Sequence, residues 1–179
     1  MTNNTTDSRI RVRRATAADA RAIAEVTVRG WQAAYRGILA DEFLDGLSVV
    51  AREVGWRAMI EADEDGRTPA WVSESDGHTV GFISSGPPRD DDVPLPAAEV
   101  YAIYVLPEAW RGGTGRSLME TAVFHWQALG TTTLVLWVFE ANARARSFYE
   151  AVGWRPDGGR QTFEPGGAAA VEIRYRRTI

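Results

Sequence analysis

A run of four residues, Gly112-Gly113-Thr114-Gly115, follows a stretch of aromatic and β-branched residues that begins at Glu99 and stops at Pro107. The segment E-V-Y-A-I-Y-V-L-P-E-A-W-R-G-G-T-G reads as a strand and then a glycine-rich turn, with a helix expected from near Arg116. That order suits the holding of a phosphate. The first turn of a helix has N–H groups without intrahelical partners, and the helix dipole places partial positive charge there. Glycines let phosphate oxygens reach the main chain without meeting a Cβ.

The neighbouring residues narrow the ligand. A nucleotide P-loop needs a lysine after the glycines, and Gly115 is followed by Arg116-Ser117. A dinucleotide fold needs a third spaced glycine and an acid at the end of the next strand, which here ends in Trp137-Val138. Taken alone, the turn is equally compatible with a plain strand-to-helix connection.

The elements around it follow from pattern. Residues 10–13 alternate as a first strand, and Thr16-Ala-Ala-Asp19 is a capping box. The helix it opens carries Ile23, Val26 and Trp31 on one face. Further helical pieces are expected from Asp41 and after Ser48. Two strands, 70–73 and 79–83, flank the hairpin signal Asp76-Gly77. Residues 86–96 are too rich in Pro and Asp for regular structure, and their run Asp90-Asp91-Asp92 is expected to be solvated. After the glycine turn a helix runs to about Leu129, and residues 133–138 form a buried strand. Asn142 caps a helix whose Ala145, Phe148, Tyr149 and Val152 share a face. Two strands, 160–164 and 170–176, close the chain around Pro165-Gly166-Gly167. This alternation makes an α/β fold with one mixed sheet, a flexible tail over residues 1–8 and one domain over 9–179.

Composition removes several functions. The 179 residues are 45% hydrophobic, enough for one core. No cysteine is present, which removes disulfides, thiolate metal sites and a cysteine nucleophile. The net charge of -4, with no basic block, argues against nucleic acid. Met1 to Ser8 lacks the apolar core of a signal peptide and no segment is long enough to span a bilayer, so no membrane partner and a cytoplasmic location are expected. His78 and His125 have no triad setting, are expected at the surface, and make no metal site on their own.

The run from Ile103 to Met119 closely resembles the acyl-CoA motif of the GNAT superfamily of N-acetyltransferases. A second match follows one helix and strand later: Asn142-Ala-Arg-Ala-Arg-Ser-Phe-Tyr-Glu-Ala-Val-Gly-Trp154 resembles that family's N-x-x-A-x-x-F-Y-E-x-x-G-F segment. Trp31-Gln-Ala-Ala-Tyr-Arg-Gly-Ile-Leu39 is similar to the acceptor-side helices of small bacterial members. The resemblance covers residues 9–178. One departure is Trp110, which stands first in the family's Gln/Arg-x-x-Gly-x-Gly/Ala, with Arg111 next.

The resemblance implies a GNAT-like domain in which a central mixed sheet is flanked by helices and a splayed strand pair forms the acyl-CoA slot. It implies acetyl-CoA as co-substrate and no metal. Its diphosphate would be held by the N–H groups of Arg111, Gly112, Gly113, Thr114, Gly115 and Arg116. The pantetheine arm would lie along Ile103, Tyr104 and Val105, with Asn142 as a further contact. Tyr149 matches the family's general acid, and Glu99 occupies the position of the base in the histone-acetylating branch. Glu99 has the parity of Ile103 and Val105, so the three share a face unless a bulge intervenes. The position where other members carry an acid on the next strand is Trp137. The acceptor pocket is expected between Trp31, Tyr35 and the strand face of Glu99 and Tyr101, with the Pro165–Gly167 hairpin as a lid. With no G-x-S-x-G elbow, direct transfer to a small-molecule primary amine is the expected reaction. Protein N-terminal or lysine acetylation, a non-catalytic acyl-CoA-binding module and a nucleotide-binding regulator are the alternatives, and the resemblance admits a homodimer.

Overall fold

Seven strands make one sheet in the order β1-β2-β3-β4-β5-β7-β6. They are β1 (Arg11–Arg14), β2 (Ala70–Ser75), β3 (His78–Gly86), β4 (Ala97–Val105), β5 (Thr133–Phe139), β6 (Arg155–Phe163) and β7 (Ala170–Thr178). The helices are α1 (Ala20–Ala34), α2 (Asp41–Asp45), α3 (Val49–Ala62), α4 (Thr114–Ala128) and α5 (Ala143–Ala151). This computed structural model describes residues 10–167 and 169–179. The tail expected over residues 1–8 lies outside the described residues. Among the described residues no helix is long and apolar enough to cross a membrane.

Every neighbouring strand pair is antiparallel except β4 and β5. Those two run parallel and pair only over Ala97–Val100 with Thr133–Leu136. Beyond that point both strands continue unpaired to each other, so the sheet splits. The cause lies on β4. On its β3 side Ser85 faces Val100 and Ser84 faces Ala102, leaving Tyr101 as the extra residue of a β-bulge. A bulge bends its strand and sharpens the local twist, which turns the end of β4 away from β5.

The bulge also inverts parity. Ala98 and Val100 pack with Ile103 and Val105 on the α4–α5 face, while Ala102 and Tyr104 pack toward α1 and α3. The expected sharing of a face by Glu99, Ile103 and Val105 is therefore corrected: Glu99 lies on the opposite face. Between the α4 side and the sheet sit Leu118, Met119, Ala122, Leu134 and Leu136, all essentially inaccessible to water. On the other side Gly30 lets α1 rest against β4, since a Cβ there would lie 3.0 Å from the Tyr104 ring.

Several local expectations are revised. The helix after the glycine turn begins at Thr114, because Gly113 already takes the left-handed conformation (φ 87°) that ends the turn. His125 is half-buried rather than fully at the surface. Its Nε2 is buried, its ring meets Trp71 and Trp126 edge-on at 5.0 and 5.3 Å, and burial lowers its pKa. Asp90 and Asp92 are not merely solvated, because both bond Arg174 of β7 at 3.0 and 2.6 Å.

The start of the domain is held by charge. Asp19 accepts from Arg13 Nη1 and Nη2 at 2.8 and 2.7 Å, and from the Thr16 N–H and hydroxyl at 2.8 and 2.9 Å. The Arg13 guanidinium is the main reason its carboxyl falls to a pKa of about 2. A depressed carboxyl stabilises the fold above its unfolded value near 4, and that contribution disappears as pH falls through about 2. Asp19→Asn should therefore lower stability by on the order of 1–2 kcal/mol at pH 6, solvent screening at the partly exposed Arg13 holding the figure down. The urea midpoints of the two proteins should converge as pH drops from about 4 to 2. A gap that stays constant over that range would remove the ion pair as its source.

Candidate active site

The glycine turn presents its donors as a cradle. Arg111 and Gly113 both have positive φ (63° and 87°), the alternation of backbone conformations from which anion-binding main-chain nests are built. Among the described residues none of the N–H groups of 111–116 has a main-chain acceptor; the Ser117 N–H is the first to bond back, to Gly113. The six groups named from the sequence therefore lie in one continuous turn and helix start, without main-chain acceptors among the described residues. The neighbouring strand end is ordered by its own hydrogen bonds. Leu106 donates to Val80 on the β3 side at 2.8 Å, so by alternation the N–H and C=O of Val105 face the split. Trp110 donates its indole N–H to that Val105 carbonyl at 2.8 Å, and the Arg144 guanidinium stacks 3.5 Å from the Trp110 ring centroid. The residue that departs from the family pattern therefore fixes the end of β4 and positions a cation beside it.

The split opens into a cleft of about 520 Å³ that passes through the sheet. Val105, Trp110, Asn142, Arg144 and Ala145 line it on the glycine-turn side, and Tyr149 lines it from α5. Asn142 uses Oδ1 to cap α5, accepting from the Ala145 N–H at 3.1 Å, which leaves its amide N–H groups for the cleft. Tyr149 is 8% exposed and packs against Trp154 and Tyr175. Burial pushes its hydroxyl well above the ordinary tyrosine value, with Tyr104 adding to the effect.

On the far side the walls are aromatic. Trp31, Tyr35, Tyr101, Tyr104, Phe139 and Phe163 all reach the cleft. Tyr35 meets Phe139 edge-on at 4.9 Å, and the Tyr35 and Tyr104 hydroxyls are 2.9 Å apart. Burial is the chief cause that pushes Tyr104 up to about 12 and Tyr35 up as well, so both remain neutral donors at working pH. Tyr104 was expected to contact pantetheine. Its carbonyl instead faces β3, only 3.0 Å from where a Cβ on Gly81 would stand, and its ring belongs to this aromatic side. Ile103 and Val105 remain as the main-chain groups along the split. Tyr101 bonds the Pro87 carbonyl at 2.6 Å and carries Arg89 over its ring at 4.9 Å.

Glu99 does not line the cleft. It is 0% exposed and accepts from the Arg89 N–H at 2.9 Å, from Arg89 Nε at 3.0 Å and from Nη2. Its carboxylate anchors the 87–96 loop, and the bulge is what turned it there. The Pro165–Gly167 turn packs on Phe43 of α2 rather than over the cleft. One carboxylate that the motifs did not indicate does line it: Glu172 of β7, opposite Phe139 of β5 and bonded by Gln161 of β6 at 2.7 Å. Burial pushes its carboxyl above the ordinary value, partly offset by Gln161 and Arg89.

A glycine turn at the end of one strand and a ring-lined pocket beside the same split in the sheet stand next to each other in this fold. The profile of the acetyltransferase (GNAT) family matches residues 32–154, and the chain belongs to that family of N-acetyltransferases. It is 28% identical over 173 residues to the probable N-acetyltransferase Rv2775 of Mycobacterium tuberculosis, covering 94% of each chain. It is 30% identical over 143 residues to the uncharacterized N-acetyltransferase YuaI of Bacillus subtilis, covering 79% of this chain and 78% of the other. In fold it is similar to the PaiA N-acetyltransferase of Thermoplasma acidophilum, solved in complex with coenzyme A. That match has a TM-score of 0.74 at 18% identity and covers 96% of this chain and 99% of the other.

Proposed function

We propose that this chain transfers an acetyl group from acetyl-CoA directly to the primary amine of a small molecule. The observation that carries the reading is the cleft itself, which runs from Val105 and Trp110, at the strand end just before the glycine turn, past Tyr149, into the pocket of Trp31, Tyr35 and Tyr101. The residues fit the carrier. Six unpartnered donors and the helix dipole suit a diphosphate, and the split beside Ile103 and Val105 suits an extended amide chain added as a strand. Bound there, acetyl-CoA supplies an acetyl group on a thiol leaving group.

This chain's residues do the rest. The Val105 N–H faces the split and can polarise a carbonyl placed there. Asn142 amide and the Trp110–Arg144 stack hold the arm in register. Tyr149 keeps its proton at neutral pH and delivers it to the departing sulfur. The aromatic walls favour an alkylammonium through cation–π contact. An amine panel assayed by thiol release tests the reading, together with calorimetry of CoA. Turnover of one or more small amines is expected; heat on CoA addition without thiol release from any amine would leave only a binding module.

The Trp110 contacts give a separate prediction. Trp110→Ala frees the Val105 carbonyl and removes the plate under Arg144, and each loss is about 0.5–1 kcal/mol. The CoA dissociation constant should rise about 5- to 30-fold by calorimetry. An unchanged constant would mean that the indole only closes the strand end.

A further inference from the structure

We propose that Glu172, at the edge of the aromatic pocket, is the general base that takes the proton of the acceptor amine, and that Glu99 serves to position the loop beside it. The inference rests on the acetyltransfer reading above. Direct transfer needs a nitrogen lone pair, so an ammonium must lose a proton before or during attack. Glu172 takes the first proton from the ammonium, the nitrogen bonds the acetyl carbon, the carbon–sulfur bond breaks, the sulfur takes the Tyr149 proton, and the second nitrogen proton restores the Tyr149 hydroxyl.

Four charged residues line the cleft, and three are committed elsewhere. Arg89 bonds Glu99, Asp90 bonds Arg174 and the Trp137 indole, and Arg144 stacks on Trp110. Glu172 is the fourth. Its partner is the neutral amide of Gln161, and among the described residues no arginine pairs with it. It lies on the face of β7 opposite Phe139, whose ring meets Tyr35 and Phe163. A carboxylate among aromatic rings both attracts an ammonium and can accept its proton. The groups that act on it electrostatically are Tyr35 just past the end of α1, Tyr104 and Glu99 from β4, Arg89 from the 87–96 loop and Gln161 from β6. Both tyrosines stay neutral and Arg89 stays charged and bonded to Glu99, which leaves Glu172 as the carboxylate lining the cleft without a cationic hydrogen-bond partner among the described residues, its pKa raised by burial.

Glu172→Gln is isosteric and keeps a partner for Gln161. With an amine that the wild type accepts, kcat/KM at pH 7 should fall about 100-fold while the CoA dissociation constant stays unchanged by calorimetry. The decisive readout is the pH profile. In the wild type kcat/KM rises with pH through the ionisation of Glu172. In Glu172→Gln that limb should vanish, and the deficit should shrink toward the pKa of the amine, where the free base forms without help. Glu172→Asp should retain the limb at reduced kcat, and Glu99→Gln should retain it with a lowered melting temperature. The assignment is overturned if Glu172→Gln, melting as the wild type does, keeps the acid limb, or if its deficit is the same at every pH. It is also overturned if Glu99→Gln alone abolishes the limb. A wild-type protein that binds CoA yet releases no thiol with any amine defeats the acetyltransfer reading and this inference together, whereas active wild type with an unaffected Glu172→Gln defeats the base assignment alone.

Discussion

Tyr149→Phe should lower kcat on the order of 100-fold while leaving the CoA dissociation constant within about twofold of the wild type. The substitution removes one oxygen and keeps the ring that packs on Trp154 and Tyr175, so the fold should be unmoved. The size of the effect follows from proton transfer. A free tyrosine near pKa 10 protonating a thiolate near 8.5 is uphill by about 2 kcal/mol. Burial raises Tyr149 above that ordinary value. The departing sulfur sits in the same desolvated cleft, and burial raises its proton affinity in the same direction, so the difference between the two stays small. The upward shift has a second consequence. Tyr149 stays protonated below its raised pKa, so it should impose no alkaline limb on kcat between pH 7 and 9, and the deficit of Tyr149→Phe should be constant over that range. Rapid-quench measurement of the first turnover separates this loss from product release. A wild-type burst in the variant would deny Tyr149 any part in the chemical step.

The parts of the site that can be read from sequence are those made by local rules. The glycine turn, the Asn142 cap and the apolar face carrying Tyr149 each depend on residues within one element. What could not be read depends on pairing between distant strands. Nothing in Val-Tyr-Ala-Ile marks Tyr101 as the residue that β3 leaves unpaired, yet that extra residue sends Glu99 to the other face. Glu172 carries no motif because its place arises only when β7 inserts antiparallel between β5 and β6, 33 residues after Phe139. Trp110 is a similar case. The sequence marks it as a departure, and its use shows only once the turn folds the indole back onto Val105.

The aspartate run makes the same point with a measurable energy. Arg174→Met should destabilise the fold by about 3 kcal/mol, a fall of about 6–12 °C in melting temperature for a chain of this size. Arg174 is 5% exposed and sits among three carboxylates. Its Nη1 bonds Asp90 and Asp92 at 3.0 and 2.6 Å, its Nη2 bonds Asp92 at 2.8 Å, and its Nε bonds Asp157 at 2.9 Å. Removing the cation leaves the inward-facing Asp157 and Asp90 without their main partner, and the cost of an uncompensated charge exceeds that of a lost surface pair. Asp91→Asn is the matched control, since Asp91 is exposed between the two anchored residues and should change stability by less than about 0.5 kcal/mol. The loss should reach the site as well. Asp90 also holds the Trp137 indole at 3.0 Å, and Arg89 next to it holds Glu99, so freeing the loop loosens one wall of the acceptor pocket. KM for the amine should rise while CoA affinity holds, because the glycine turn follows the other end of β4 and shares none of these bonds. Equal weakening of both substrates would mean that the variant unsettles the whole sheet, and a melting temperature within a degree of wild type would show that the three aspartates reach water without Arg174.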